Sequence, residues 1–154
     1  MAFVLRIPNN PRMEYYAKKA STVFTHGDAV APDGLTETEG SNDNAFDEQL
    51  ADDPTILGII QRTTAATDSD YASETKVPLL IDEFGIWEVP VATGTAAAGD
   101  EQGYVDLDDT AIETSLDITG STEDHFFITD YISGTSVRGK ICSWAHMWPP
   151  VHAS

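Results

Sequence analysis

The chain has 154 residues, with 8 Lys and Arg against 26 Asp and Glu, a formal net charge of −18 and a pI near 4.1. Apolar residues make up 41%, enough for one buried core, which excludes wholesale disorder. So acidic a chain lacks the clustered Lys and Arg that a nucleic-acid binder or an anionic membrane surface demands.

Residues 3–7, Phe-Val-Leu-Arg-Ile, are rich in β formers and predict a short extended segment that Pro8 ends. Asn10-Pro11 then predicts the start of a short helix, with Met13, Tyr16, Ala17 and Ala20 on one face. Val23-Phe24-Thr25 and Ala29-Val30-Ala31 read as strands around a turn at His26-Gly27-Asp28, with a second turn at Pro32-Asp33-Gly34. Residues 37–53 are acidic and polar, a loop with room for one helical turn at Phe46 and Leu50. Ile56 to Ile60 is a buried strand, ended by the Thr/Ala/Asp/Ser run 63–70.

Lys76 to Ile81 is a further strand, in which Pro78 implies an edge or a bulge. From Gly85 to Val91, Ile86, Glu88 and Pro90 face one way and Trp87, Val89 and Val91 the other; Pro90 again suggests an edge. Residues 92–103 form a small-residue loop, and Tyr104 to Leu107 a short strand. Residues 110–119 fit helix and strand equally, through Ile112, Leu116 and Ile118. Phe126 to Ser133 and Ser136 to Trp144 predict a hairpin around Ser133-Gly134. Beyond it, Pro149-Pro150 stops any central strand, leaving an extended tail on a neighbour or on the chain's own barrel.

The fold class that follows is mainly β: a small antiparallel β-barrel or β-sandwich with an extended N-terminal arm and little helix. The division is an arm over 1–21, a β-rich body over 22–144 and a tail over 145–154. The charge supports that division. Residues 1–20 hold Arg6, Arg12, Lys18 and Lys19 against Glu14 alone, a net +3; the other 4 basic and 25 acidic residues leave −21 on the rest. A basic arm on an acidic body suggests that the two meet different surroundings.

The sequence carries few residues in patterns that catalysis or metal binding requires. Cys142 is the single cysteine, so no intrachain disulfide forms; beside Ile141 it reads as a small core residue. The apolar stretch from Ala2 to Leu5 is too short for a secretory leader, and no window approaches about 20 apolar residues. Gly134 to Lys140 has P-loop spacing, but Ile141 stands where a metal-binding hydroxyl belongs; Gly94 to Asp100 places an acid where the lysine belongs. Both read as turns. His26, His125, His146 and His152 form no metal-ligating spacing. Asp52-Asp53, Asp68/Asp70 and Asp106 to Asp109 are acidic clusters without the glycine-bearing pattern of a Ca²⁺ loop. No catalytic residue, metal or cofactor is assigned, and the chain reads as a non-enzyme.

The opening Met1-Ala-Phe-Val-Leu-Arg-Ile-Pro8, with Asn9 to Tyr16 and Ala17 to Thr22 after it, resembles the start of small structural proteins of tailed bacteriophages. So does the stretch from Ile56 to Arg62, through Ala66 to Ser73, to Lys76-Val77-Pro78. The likeness is to head decoration, or cement, proteins. It covers about half the chain and is one of layout rather than of a sharp motif. Residues 37–53 and the Trp/Pro tail depart from it.

The resemblance implies a structural virion protein on the outer surface of an assembled head, built in the host cytoplasm. It would cement neighbouring major capsid proteins as a homotrimer, with no nucleic-acid or membrane partner. The implied capsid-binding arm is Phe3, Val4, Leu5, Arg6, Ile7 and Pro8, with Arg12, Lys18 and Lys19. An arm of this kind adds a strand to a capsid sheet edge, and its basic groups meet acidic capsid residues. Trp144, Met147 and Trp148 are candidates for a subunit interface. The alternative is a soluble Ca²⁺- or carbohydrate-binding β domain, for example part of a head fibre.

Overall fold

A computed structural model describes residues 2–32, 45–48, 56–108, 115–121 and 124–142. Among these the strands are β1 (Val4–Ile7), β2 (Arg12–Ala17), β3 (Ala29–Pro32), β4 (Phe46–Glu48), β5 (Gly58–Ile60) and β6 (Lys76–Ile81). They continue with β7 (Ile86–Thr93), β8 (Tyr104–Asp108), β9 (Ser115–Asp117), β10 (Phe126–Ser133) and β11 (Ser136–Ile141). The one helical element among the described residues is a 3-10 turn at Ala98–Asp100. The mainly β reading therefore holds.

The strands form two closed or nearly closed units. One sheet runs β1-β7-β11-β10-β8-β9. In it β9 returns to β7 in parallel register, Val91 opposite Leu116, so β7 to β11 close a five-stranded barrel. Closure removes edges that would otherwise invite foreign strands. β1 lies outside the ring, on the first half of the β7 edge that β9 occupies further along. The other sheet runs β2-β6-β5-β3-β4 and curls until Lys18 and Phe46 meet in a parallel bridge.

Alternation explains the packing. In β7, Trp87, Val89 and Val91 are buried and their neighbours less so, as the period-2 pattern predicts. They fill the barrel with Val105, Leu107, Leu116, Phe126, Ile128 and Val137. The run from Ile56 to Ile60 is apolar throughout because β5 is covered on both faces. Ile59 packs into the barrel's core, and Ile60 into a second core with Phe24, Val30, Phe46 and Leu79. Ala29 and Val30 of β3 divide the same way. The curled sheet thus has its own core and lends its outer face to the barrel.

Several expectations change. The N-terminal helix is absent: Arg12–Ala17 is a strand, paired residue for residue with Ile81–Lys76 of β6. Non-local pairing overrides the local cue of Asn10-Pro11, in a segment too short to hold a helix alone. Nor is there a free arm over 1–21. β1 belongs to the sheet that contains the barrel and β2 to the curled sheet.

Residues 22–25 are not a strand, because Phe24 exchanges its backbone bonds with Thr64 rather than with a ladder: its N–H donates to Thr64 Oγ1 at 2.8 Å and its C=O accepts from the Thr64 N–H at 2.9 Å. Phe46 starts a short strand, not a helical turn. The rest of the 37–53 loop, the 110–114 segment and the tail lie outside the described residues.

Both prolines sit where a missing N–H costs little. By register Pro78 faces Gln61, one residue past the end of β5, so interior β6 loses only a terminal bond; its carbonyl accepts from Gln61 N–H at 3.0 Å. Pro90 falls where β1 has stopped at Glu88 and β9 begins at Val91, a local edge inside the sheet.

Candidate functional site

The residues singled out by sequence fall into two structural groups. Phe3 belongs to the core. It is 3% exposed, its ring meets Trp87 and Phe126 edge-on at 6.1 and 6.0 Å, and its N–H donates to Gly27 O at 2.9 Å. Gly27 has φ +95°, and a Cβ there would stand 2.2 Å from the Ala2 Cβ. Only glycine permits both the left-handed backbone and that close approach. Leu5 packs against the same core.

The turn after β1 is fixed by Asp82, itself 2% exposed: its carboxylate accepts the Asn9 N–H at 2.8 Å and the Asn10 N–H at 3.2 Å. Pro8 is exposed at the head of this turn. The chain then crosses to the curled sheet, so residues 2–17 stitch the two units together.

The basic groups of this segment are already partnered. Arg6 pairs with Glu88 at 3.0 Å, and Arg138 reaches the same carboxylate at 3.1 Å. Hydrogen bonds from both guanidiniums, Arg6 first, hold the Glu88 carboxyl below its usual range. Arg12 pairs with Glu83 at 2.7 Å and with Glu14 at 3.4 Å, and those bonds raise its own pKa. Lys19 pairs with Asp47. Lys18 is fully buried, and its ammonium donates to three backbone carbonyls: Asp70 at 2.9 Å, Tyr71 at 3.2 Å and Ser73 at 2.6 Å.

The expectation that these four groups seek an outside acidic surface is therefore corrected for Lys18, whose donors are all used within the chain. Arg6, Arg12 and Lys19 lie nearer the surface and pair with Glu88, Glu83 and Asp47 of the acidic body, Arg12 also with Glu14 beside it.

What the segment presents outward is apolar. Nine large apolar side chains are exposed among the described residues, and four of them lie between residues 4 and 15: Val4, Ile7, Met13 and Tyr15. Val4 and Ile7 sit on β1, whose outer edge pairs with no other strand among the described residues. Sequence reasoning missed Met13 and Tyr15. Their signal was the alternation of Arg12, Glu14 and Tyr16 against Met13 and Tyr15, hidden by the helix reading. The interface candidates Trp144, Met147 and Trp148 lie outside the described residues.

The acidic clusters are engaged as well. Asp68 and Asp70 receive Arg62 at 3.5 and 2.7 Å, and its hydrogen bonds lower the Asp70 carboxyl to about 2. Asp106 accepts the Asp124 N–H at 2.7 Å, and Asp108 the Thr93 hydroxyl. Asp52, Asp53 and Asp109 lie outside the described residues. No group of three or more His, Cys, Asp or Glu among the described residues is arranged to hold a metal ion.

Cys142 is buried, and burial, with Asp124 nearby, pushes its thiol up to about 12. A thiol so shifted is held in its protonated form at neutral pH. His125 is fully buried, its Nδ1 accepting the Leu107 N–H at 3.3 Å and its carbonyl the Cys142 N–H at 2.9 Å. In comparisons with known proteins, no family model and no curated protein matches this chain.

Proposed function

We propose that the protein is a structural binder: a cement protein that sits on the outside of an assembled phage head and bridges neighbouring major capsid proteins. Its resemblance to head decoration proteins supplies the partner. The observation that carries the reading is the outer edge of β1, which pairs with no other strand among the described residues, with Val4 and Ile7 exposed on a strand whose inner edge is locked to β7. An open edge beside apolar side chains suits strand addition, in which backbone hydrogen bonds set register and side chains add specificity.

The contact is thus a rigid edge rather than a flexible arm. No arm has to be ordered on binding, so the entropic cost of docking is low. Assembly as a trimer would present three such edges together, and avidity would multiply weak single contacts.

Deleting residues 1–20 would remove Phe3 and two strands, so a loss of binding would report unfolding as readily as a lost contact. The informative variant is Val4→Lys with Ile7→Lys, both at exposed positions. Occupancy on purified heads stripped of the protein should fall about tenfold or more, a loss of about 1.4 kcal/mol or more per site. Val23→Lys, exposed but outside this segment, should leave occupancy unchanged. Equal occupancy for all three proteins would remove the β1 edge as the contact.

A further inference from the structure

An apolar groove of about 230 Å³ opens where the turn after β6 approaches β8, β10 and β11. Phe84, Tyr104, Phe127, Ile141 and Cys142 line it. Phe84 is 61% exposed and Tyr104 45%. The Tyr104 and Phe127 rings lie 5.1 Å apart at 52°, a preformed aromatic wall. It has no part in the β1 edge.

Cys142 is both one of the groove's walls and the last residue described before 143–154. Its backbone is pinned by the bond to His125 O, so the point of departure is fixed. The next residues are Ser143-Trp144-Ala145-His146-Met147-Trp148-Pro149-Pro150. At about 3.5 Å per residue, two residues of chain reach at most about 7 Å from Cys142 and six residues about 21 Å, so the groove is within reach of both indoles. Two indoles and a thioether are the side chains that pack best on aromatic walls.

We propose that this groove is the docking site of the chain's own residues 144–148, held through Trp144 and Trp148. A segment tethered so closely has a local concentration in the millimolar range, which another copy of the chain in dilute solution does not match.

Tryptophan fluorescence of the full chain tests this, because Trp87 is 1% exposed and quenching by acrylamide reports on the other two indoles. In the unaltered protein both indoles should be shielded, independently of protein concentration. Phe84→Ser combined with Tyr104→Ser should raise their quenching several-fold and shift emission to the red. Circular dichroism and the melting transition should show the barrel intact, since both side chains are exposed. Thermal unfolding of Phe84→Ala, Trp148→Ala and the double variant gives a second readout: the double should lower the melting temperature no further than the larger single effect. Indoles quenched like free tryptophan in the unaltered protein, or additive melting shifts, would overturn the proposal. Shielding lost on dilution would also overturn it, by assigning the groove to the tail of a second copy.

Discussion

Lys18 shows how far a formal charge can mislead when only its sign is known. As one of four basic residues near the N-terminus it looks like a group waiting for an acidic partner. In the fold it is a buried ammonium whose three hydrogens are shared among the carbonyls of Asp70, Tyr71 and Ser73. Lys18→Met keeps the stem and removes the donors, leaving buried acceptors unpaired. It should cost about 2–4 kcal/mol in urea unfolding, and amide exchange should quicken first around residues 70–73.

The acidic partners make a second prediction at this scale. Asp70 and Glu88 both have folded pKa values below their unfolded ones. Their ion pairs contribute fully above the unfolded values of 3.8 and 4.5 and are lost as pH falls through the folded ones. Both carboxylates are solvent-screened, so the effect is modest. Melting temperature measured from about pH 6 down to about pH 2 should fall in the acid range, and Arg62→Gln should flatten part of that fall.

The strands divide by whether local pattern or distant partner decides them. β6, β7 and the β10–β11 hairpin were legible because alternation and the turn at Ser133-Gly134 are local signals. β2 was not: Arg-Met-Glu-Tyr-Tyr-Ala is compatible with either period, and β6, some sixty residues later, settles it. The ion pairs were illegible for the same reason. Arg6 and Glu88 are 82 positions apart and Arg12 and Glu83 are 71, so no spacing rule links them. The body's acidity was visible in the sequence; that the arm's counter-charges are the body itself was not. β1 depends on one anchor above all. Phe3→Ala should cost about 3–5 kcal/mol in equilibrium unfolding, with exchange protection lost at Leu5 and Arg6, because it empties a site bounded by Trp87 and Phe126.

For the molecule as a whole, the net −18 becomes a statement about self-repulsion. Several carboxylates are paired internally, yet acids still outnumber bases 26 to 8. Screening should therefore relieve more repulsion than attraction. Raising salt from about 0.02 M to about 0.5 M should raise the melting temperature by a few degrees, about 2–5 °C. A fall would mean that the ion pairs around Glu88, Glu83 and Asp70 outweigh the repulsion. The same acidity opposes pairing of the outer β1 edge, unpaired among the described residues, with copies of the chain, since like-charged bodies must approach for edges to meet.

The stitching of the two units by residues 2–17 also sets an order of events in time. β1 and β2 are made first, but their partners β7 and β6 end at Thr93 and Ile81. At about 5–20 residues per second, the first two strands wait on the order of 4–15 s during synthesis before those partners exist. Through that interval Phe3, Leu5 and Tyr16 have no core to enter. Residues 2–17 are thus a late closure: the curled sheet waits for β6, which ends at Ile81, and the barrel for β11, which ends at Ile141.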